Sequence, residues 1–227
     1  MNKSFCKLIL LISFLCVYSV LNAQQKDFQS WNSVSIKTSL TNKISISGSQ
    51  EIRLKNNASN LADYLTELGA EFLINKNIEI GGSYRLTFNK NLKDGNSLEH
   101  RYCFDVGLKY LISRFEVSVR ERYQTQYSNL AQDDFPFYQF HHLRHKAVLA
   151  YDIPKSQLEP FAEIEFYQGL NNPISNGIEK NRYTLGLKSK ITNYLSAEIY
   201  CRYQTKNNNI SKSSEYYIVG TCLKISL

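Results

Sequence analysis

The chain has 227 residues, 43% of them hydrophobic and 21% charged, with 27 Lys and Arg against 20 Asp and Glu. The length suits one domain, the two signs of charge are interspersed, and the absence of a basic tail or arginine stripe argues against nucleic acid as a partner. Outside the first residues only Cys103, Cys201 and Cys222 remain, at spacings that match neither a disulfide framework nor a zinc site.

The opening stretch, MNKSFCKLILLISFLCVYSVLNAQQ, sets Lys3 and Lys7 ahead of an apolar run from Leu8 to Leu21, with Ala23 before Gln24. This is the order of a secretory signal peptide, and it predicts removal of residues 1–23 and export of residues 24–227 as one domain. A membrane-spanning helix needs about 20 apolar residues, more than this run supplies. Cys16 raises a lipoprotein signal, but Leu15 stands where a small residue is wanted and the apolar run continues beyond it.

From residue 28 onward apolar and polar side chains alternate. The spans are 28–40, 43–54, 61–74, 77–89, 98–112, 114–127, 138–152, 158–170, 178–191, 194–206 and 215–227. In the hairpin of residues 182–206, Tyr183, Leu185 and Leu187, then Ala197, Ile199, Cys201 and Tyr203, share one face. Arg182, Lys188, Glu198 and Arg202 share the other. Period two is the mark of strands, and no segment has the 3.6 period of an amphipathic helix. Soluble strands are typically about 5 to 6 residues, whereas membrane-crossing strands need about 9 to 11, and most of these spans are longer.

Short connections such as Thr41-Asn42-Lys43, Asn75-Lys76-Asn77 and Thr192-Asn193-Tyr194 interleave with longer polar ones such as NNASN and NKNLKDGNS. Short periplasmic turns and longer extracellular loops have this rhythm. Tyr110, Tyr127, Tyr151, Tyr167, Tyr183, Tyr194 and Tyr203 lie near strand ends, where aromatic girdles meet the membrane surface. The expected fold is all-β: a single antiparallel transmembrane β-barrel of about ten to twelve strands. Eleven spans raise a parity problem, because bacterial single-chain barrels usually have an even strand number. Either residues 28–40 lie outside the wall, or one strand is merged or missed.

The start FQSWNSVSIKTSLTNKISISGSQEIRL, with Trp31 ahead of the first hairpin and Glu51 and Arg53 ending the second strand, together with EHRYCFDVGLKY, resembles a family of small outer-membrane barrels of unknown function, common in Bacteroidetes-type bacteria. The resemblance spans nearly the whole exported chain. It implies a fold and a place in the cell outer membrane, with no activity attached.

The residues themselves offer two candidate sites. His141 and His145 share the apolar face but stand about 13 Å apart on a strand, too far to chelate one metal, while His142 faces the charged side. No nucleophile motif accompanies His142, and no cofactor or metal is expected. The charged face is more informative. With register set by the short turns, Glu67 faces Arg85, Asp105 faces Arg122, Lys146 faces Glu165 and Lys188 faces Glu198, with Glu51 and Arg202 near the same level. A belt of mutually neutralising charges inside a barrel fits this pattern. Glu121, on the apolar face, breaks it, as a residue at a bulge would.

The expected function is a nonenzymatic integral outer-membrane barrel, structural or narrow-channel, in contact with outer-membrane lipid. The first alternative is an outer-membrane lipid-modifying enzyme using His142, and the second a secreted soluble β-sandwich or lipocalin-like binder.

Overall fold

The computed structural model describes residues 26–91, 95–128, 138–171, 177–208 and 211–227. The leader predicted at residues 1–23 lies outside the described residues. Eleven strands follow one another: β1 (Lys26–Ser39), β2 (Ile44–Lys55), β3 (Asn60–Leu73), β4 (Ile78–Asn91), β5 (Gly95–Ile112), β6 (Phe115–Ser128), β7 (Tyr138–Tyr151), β8 (Leu158–Gly169), β9 (Ile178–Lys190), β10 (Leu195–Asn208) and β11 (Ser211–Ser226). They close into one barrel in which each strand pairs with its sequence neighbours.

Closure resolves the parity problem in a way the sequence reading did not foresee. The span predicted at 28–40 is a full wall strand, β1, and it pairs with β11 in parallel, from Lys26 opposite Glu215 to Lys37 opposite Ser226. Consecutive strands joined by turns must alternate in direction, so an odd count leaves the first and last strands running the same way. A parallel pair is slightly less stable per residue, yet it satisfies two rows of backbone groups that an open sheet would expose. The barrel is therefore antiparallel everywhere except at this one seam. The turn at Asn56-Asn57-Ala58, read from sequence as one of the longer loops, is tight, with all three residues at positive φ. It ties back to the seam, since the Asn57 amide donates to Asp27 Oδ1 at 3.1 Å and the Ala58 amide to the Phe28 carbonyl at 3.1 Å.

The alternation read from sequence sorts the side chains into two unlike faces. Leu68, Ile112, Leu185 and Ile199 are exposed on the outside of the wall, Leu185 at 69%. Arg122, Gln124, Arg144, Glu165, Arg182 and Gln204 are buried. The β-sandwich of the second alternative is overturned, since the chain is a closed barrel rather than two packed sheets. Outside, Tyr183, Tyr203 and Tyr217 form a row across β9, β10 and β11 with centroid spacings of 6.4 and 5.4 Å. A second row, Tyr84, Tyr102 and Tyr127, crosses β4 to β6 at 5.1 and 6.2 Å. Tyr167 is a correction to the predicted girdle. It stands two residues from Glu165 on the same face of β8, so parity turns it inward, where it is 5% exposed.

Two interior aromatics lie flat against the wall over glycines. A Cβ on Gly220 would sit 2.1 Å from the Tyr200 ring, and one on Gly186 would sit 2.4 Å from the Phe161 ring. Only glycine permits that approach, and the covering ring restores the packing that a glycine leaves out of a strand.

Candidate functional site

The interior charges are the candidate site, and strand parity delivers them there. Glu67 and Arg85 are directly opposite across β3 and β4 and their side chains form an ion pair. Asp105 and Arg122 are opposite across β5 and β6 and pair in a fork, with Arg122 Nη2 2.7 Å from Asp105 Oδ2. Lys146 and Glu165, and Lys188 and Glu198, are also directly opposite. Their ion pairs, however, run elsewhere. Lys146 reaches Glu163 at 3.5 Å, Lys188 reaches Glu159 at 2.8 Å, and Glu198 is taken by Lys224 at 2.6 Å. A hairpin shows each residue one neighbouring strand, whereas a closed wall gives it two. Diagonal partners two residues along also lie within reach of long side chains. Glu51 pairs with Arg53 on its own strand, and Arg202 reaches Glu163 at 3.3 Å.

Glu165 is the hub of this network and is 2% exposed. Its carboxylate collects guanidinium groups from three strands: Arg144 at 2.7 Å, Arg120 at 2.9 Å and Arg182 at 3.3 Å. Gln124 and Gln204 accept further bonds from Arg144 at 3.0 Å and Arg182 at 2.7 Å. A buried carboxylate is costly to dehydrate, and only such a set of charge-assisted bonds offsets that.

Two aromatic rings complete the middle of the lumen. Trp31, 4% exposed, has Arg53, Arg182 and Arg202 over its indole at 3.9, 5.2 and 5.5 Å. Tyr167 carries Arg144 at 4.3 Å, Lys180 at 4.8 Å and Arg182 at 4.8 Å, and its hydroxyl accepts a bond from Arg182. Guanidinium and ammonium groups are attracted to aromatic faces, and desolvation strengthens the attraction. Side chains from β1, β2, β7, β8, β9 and β10 thereby meet at one level. Sequence reasoning quoted Trp31 and Arg53 only for their resemblance and missed the cluster. Parity alone turned both inward, but their convergence with Arg182 and Arg202 depends on the seam.

Towards the short turns the interior opens. A polar cavity of about 310 Å³ is lined by Glu67, Glu79, Asp105, Arg120 and Lys146, with Gly69, Gly81 and Gly107 leaving the space. A smaller one of about 150 Å³ lies beside Glu159, Lys188, Glu198 and Lys224.

The histidines divide as their parity requires. On the outer wall His141 bonds Tyr123 at 2.7 Å and His145 bonds Glu121 at 2.6 Å. Glu121 is opposite Val106 in unbroken register, so no bulge carries it; a histidine partner on the next strand accompanies it instead. His142 faces inward, its Nε2 3.1 Å from Glu179, while its buried Nδ1 has no hydrogen-bond partner among the described residues. A lipid-modifying enzyme using His142 would need a serine or acid beside it, and among the described residues none meets this nitrogen. Among the described residues no group of three His, Cys, Asp or Glu side chains could hold a metal ion.

Residues 28–215 match the family described as "Protein of unknown function (DUF2490)". A search of curated proteins gives no match. Among solved structures the chain is similar to the NanC porin, at 12% identity, covering 79% of this chain and 87% of that one with a TM-score of 0.49. It is also similar to the CymD monoaromatic hydrocarbon channel, at 10% identity, 75% and 66% coverage and a TM-score of 0.43. The β domain of the Bordetella autotransporter BrkA gives 7% identity, 72% and 76% coverage and a TM-score of 0.43.

Proposed function

The chain belongs to the DUF2490 family of proteins of unknown function, and for this member we propose an integral outer-membrane β-barrel, nonenzymatic, whose lumen is closed at mid-height by its own charge network. The observation that carries the reading is the inversion of the two faces. Large aliphatic and aromatic side chains cover the outside of the wall, while ion-paired arginines and glutamates fill the inside. Soluble monomers rarely expose contiguous apolar patches beyond a few hundred Å². Here an apolar groove of about 1250 Å³ runs over the outer wall, lined among others by Leu149, Ile164, Leu185 and Val219. Lipid is the solvent that suits such a wall, and strands of 12 to 18 residues are long enough to cross it.

The lumen sets the role. The cluster around Glu165, Trp31 and Tyr167 leaves no reason to expect a wide aqueous path, so the protein acts as a structural or narrow-channel element rather than as a diffusion pore. Fractionation tests the location: the protein sediments with outer membranes, resists carbonate extraction, and migrates faster on a gel unheated than heated. Recovery in the soluble periplasm contradicts the proposal. Release of fatty acid from phospholipid or lipopolysaccharide by the purified protein moves the reading to a lipid-modifying enzyme, with His142→Ala as the next test.

A further inference from the structure

We propose that the long-loop half of the lumen binds a small oxyanion-bearing solute, such as one carrying phosphate, sulfate or carboxylate, between Lys180 and Lys206. These two lysines are directly opposite one another on β9 and β10, both turned inward. Like charges directly across a strand pair are destabilising. Among the described residues there are three other facing cation pairs, Arg85 with Arg101, Arg120 with Lys146, and Arg122 with Arg144. Each of those six side chains has a carboxylate: Glu67, Glu99, Glu165, Glu163, Asp105 and Glu165 in turn. Lys180 and Lys206 form no ion pair with a carboxylate among the described residues.

The surroundings deepen the imbalance. The strongest electrostatic neighbours of Lys180 are four cations, Arg182, Arg101, Lys206 and Arg144. Its contact on the lumen side is the face of Tyr167 at 4.8 Å, a ring already shared with Arg144 and Arg182. The nearby carboxylates are engaged: Glu99 with Arg101 at 2.5 Å, Glu165 with Arg144 and Arg182, and Glu179 with His142 at 3.1 Å. Independently of charge, two donors among the same neighbours, Arg101 Nε and Arg144 Nε, are buried without a hydrogen-bond acceptor among the described residues. Lys206 is exposed at the lumen's end, so the cost falls on the two buried donors and on Lys180 crowded by like charges, and an oxyanion held between the lysines satisfies both at once. A lipid headgroup carries the same chemistry, but the lysines face the lumen and the acyl chains would have to follow them there, so a soluble solute is the occupant.

The test uses the full exported chain folded in zwitterionic detergent micelles, with thermal unfolding followed by the fluorescence of Trp31, its single tryptophan. Inorganic phosphate and sulfate are titrated against chloride at matched ionic strength, with an anionic phospholipid doped into the micelles as a separate arm. The expected result is a saturable stabilisation by phosphate or sulfate that Lys180→Gln or Lys206→Gln weakens by about tenfold in midpoint concentration, as loss of one charge-assisted contact requires. Lys188→Gln, at the opposite end of the lumen, leaves it unchanged. A non-saturating effect equal in all variants is the general salt effect and overturns the proposal, as does a response to the anionic lipid alone. Because binding is read in micelles, its failure is separate from failure of the membrane assignment.

Discussion

Replacing Glu165 by glutamine is expected to lower the stability of the barrel by about 3 to 5 kcal/mol, the cost of breaking a buried ion pair by removing one partner. The substitution keeps the shape and removes the charge that Arg120, Arg144 and Arg182 share. Arg144 is left with Gln124, and Arg182 with Gln204 and Tyr167, none of them charged. Their positive charges then face one another in a dehydrated interior. Lys188→Gln is the control, because Lys188 and Glu159 keep about a third of their side-chain surface accessible, and such a pair contributes about 0.2 to 1 kcal/mol. Urea unfolding in micelles, read through Trp31 beside Arg182, gives both numbers. Equal midpoints for the two variants would remove Glu165 from the centre of the account.

Placing a charge on the outer wall has the second large effect. Leu185 lies near the middle of β9, between Ala162 of β8 and Cys201 of β10, and points away from the lumen. Arginine on a lipid face near the midplane costs about 2 to 4 kcal/mol. Leu185→Arg is therefore expected to reduce folding into lipid vesicles sharply, whereas Lys188→Leu, three residues along on the inner face, changes it little. Leu187→Arg follows Leu185→Arg, with a smaller loss as the interface nears. The reverse order would exchange the two faces of the wall.

Much of this was legible in the sequence because a strand's side chains strictly alternate. Arg182, Thr184 and Lys188 against Tyr183, Leu185 and Leu187 sufficed to define two faces, and short turns fixed the register that sets Glu67 opposite Arg85 and Asp105 opposite Arg122. Wall closure was not legible. The pairing of Trp31 with Gly220 joins residues at opposite ends of the chain, and no local pattern encodes it. The partners of Lys188 and Glu198 followed the same limit, since a hairpin reveals only one of two neighbouring strands, while Lys146 reaches diagonally along β8 to Glu163. Tyr167 was misplaced for a different reason. Its residue type suggested a membrane surface, while its spacing from Glu163 and Glu165 already turned it inward.

The Glu165 hub and the clusters on Trp31 and Tyr167 together make a closed lumen the central claim, and conductance tests it most directly. Purified protein folded into planar lipid bilayers is expected to show little or no steady current, while Glu165→Gln, which loosens the hub, admits leak. Large, steady, porin-like conductance from the unmutated protein would contradict the closed lumen and make the barrel a diffusion channel.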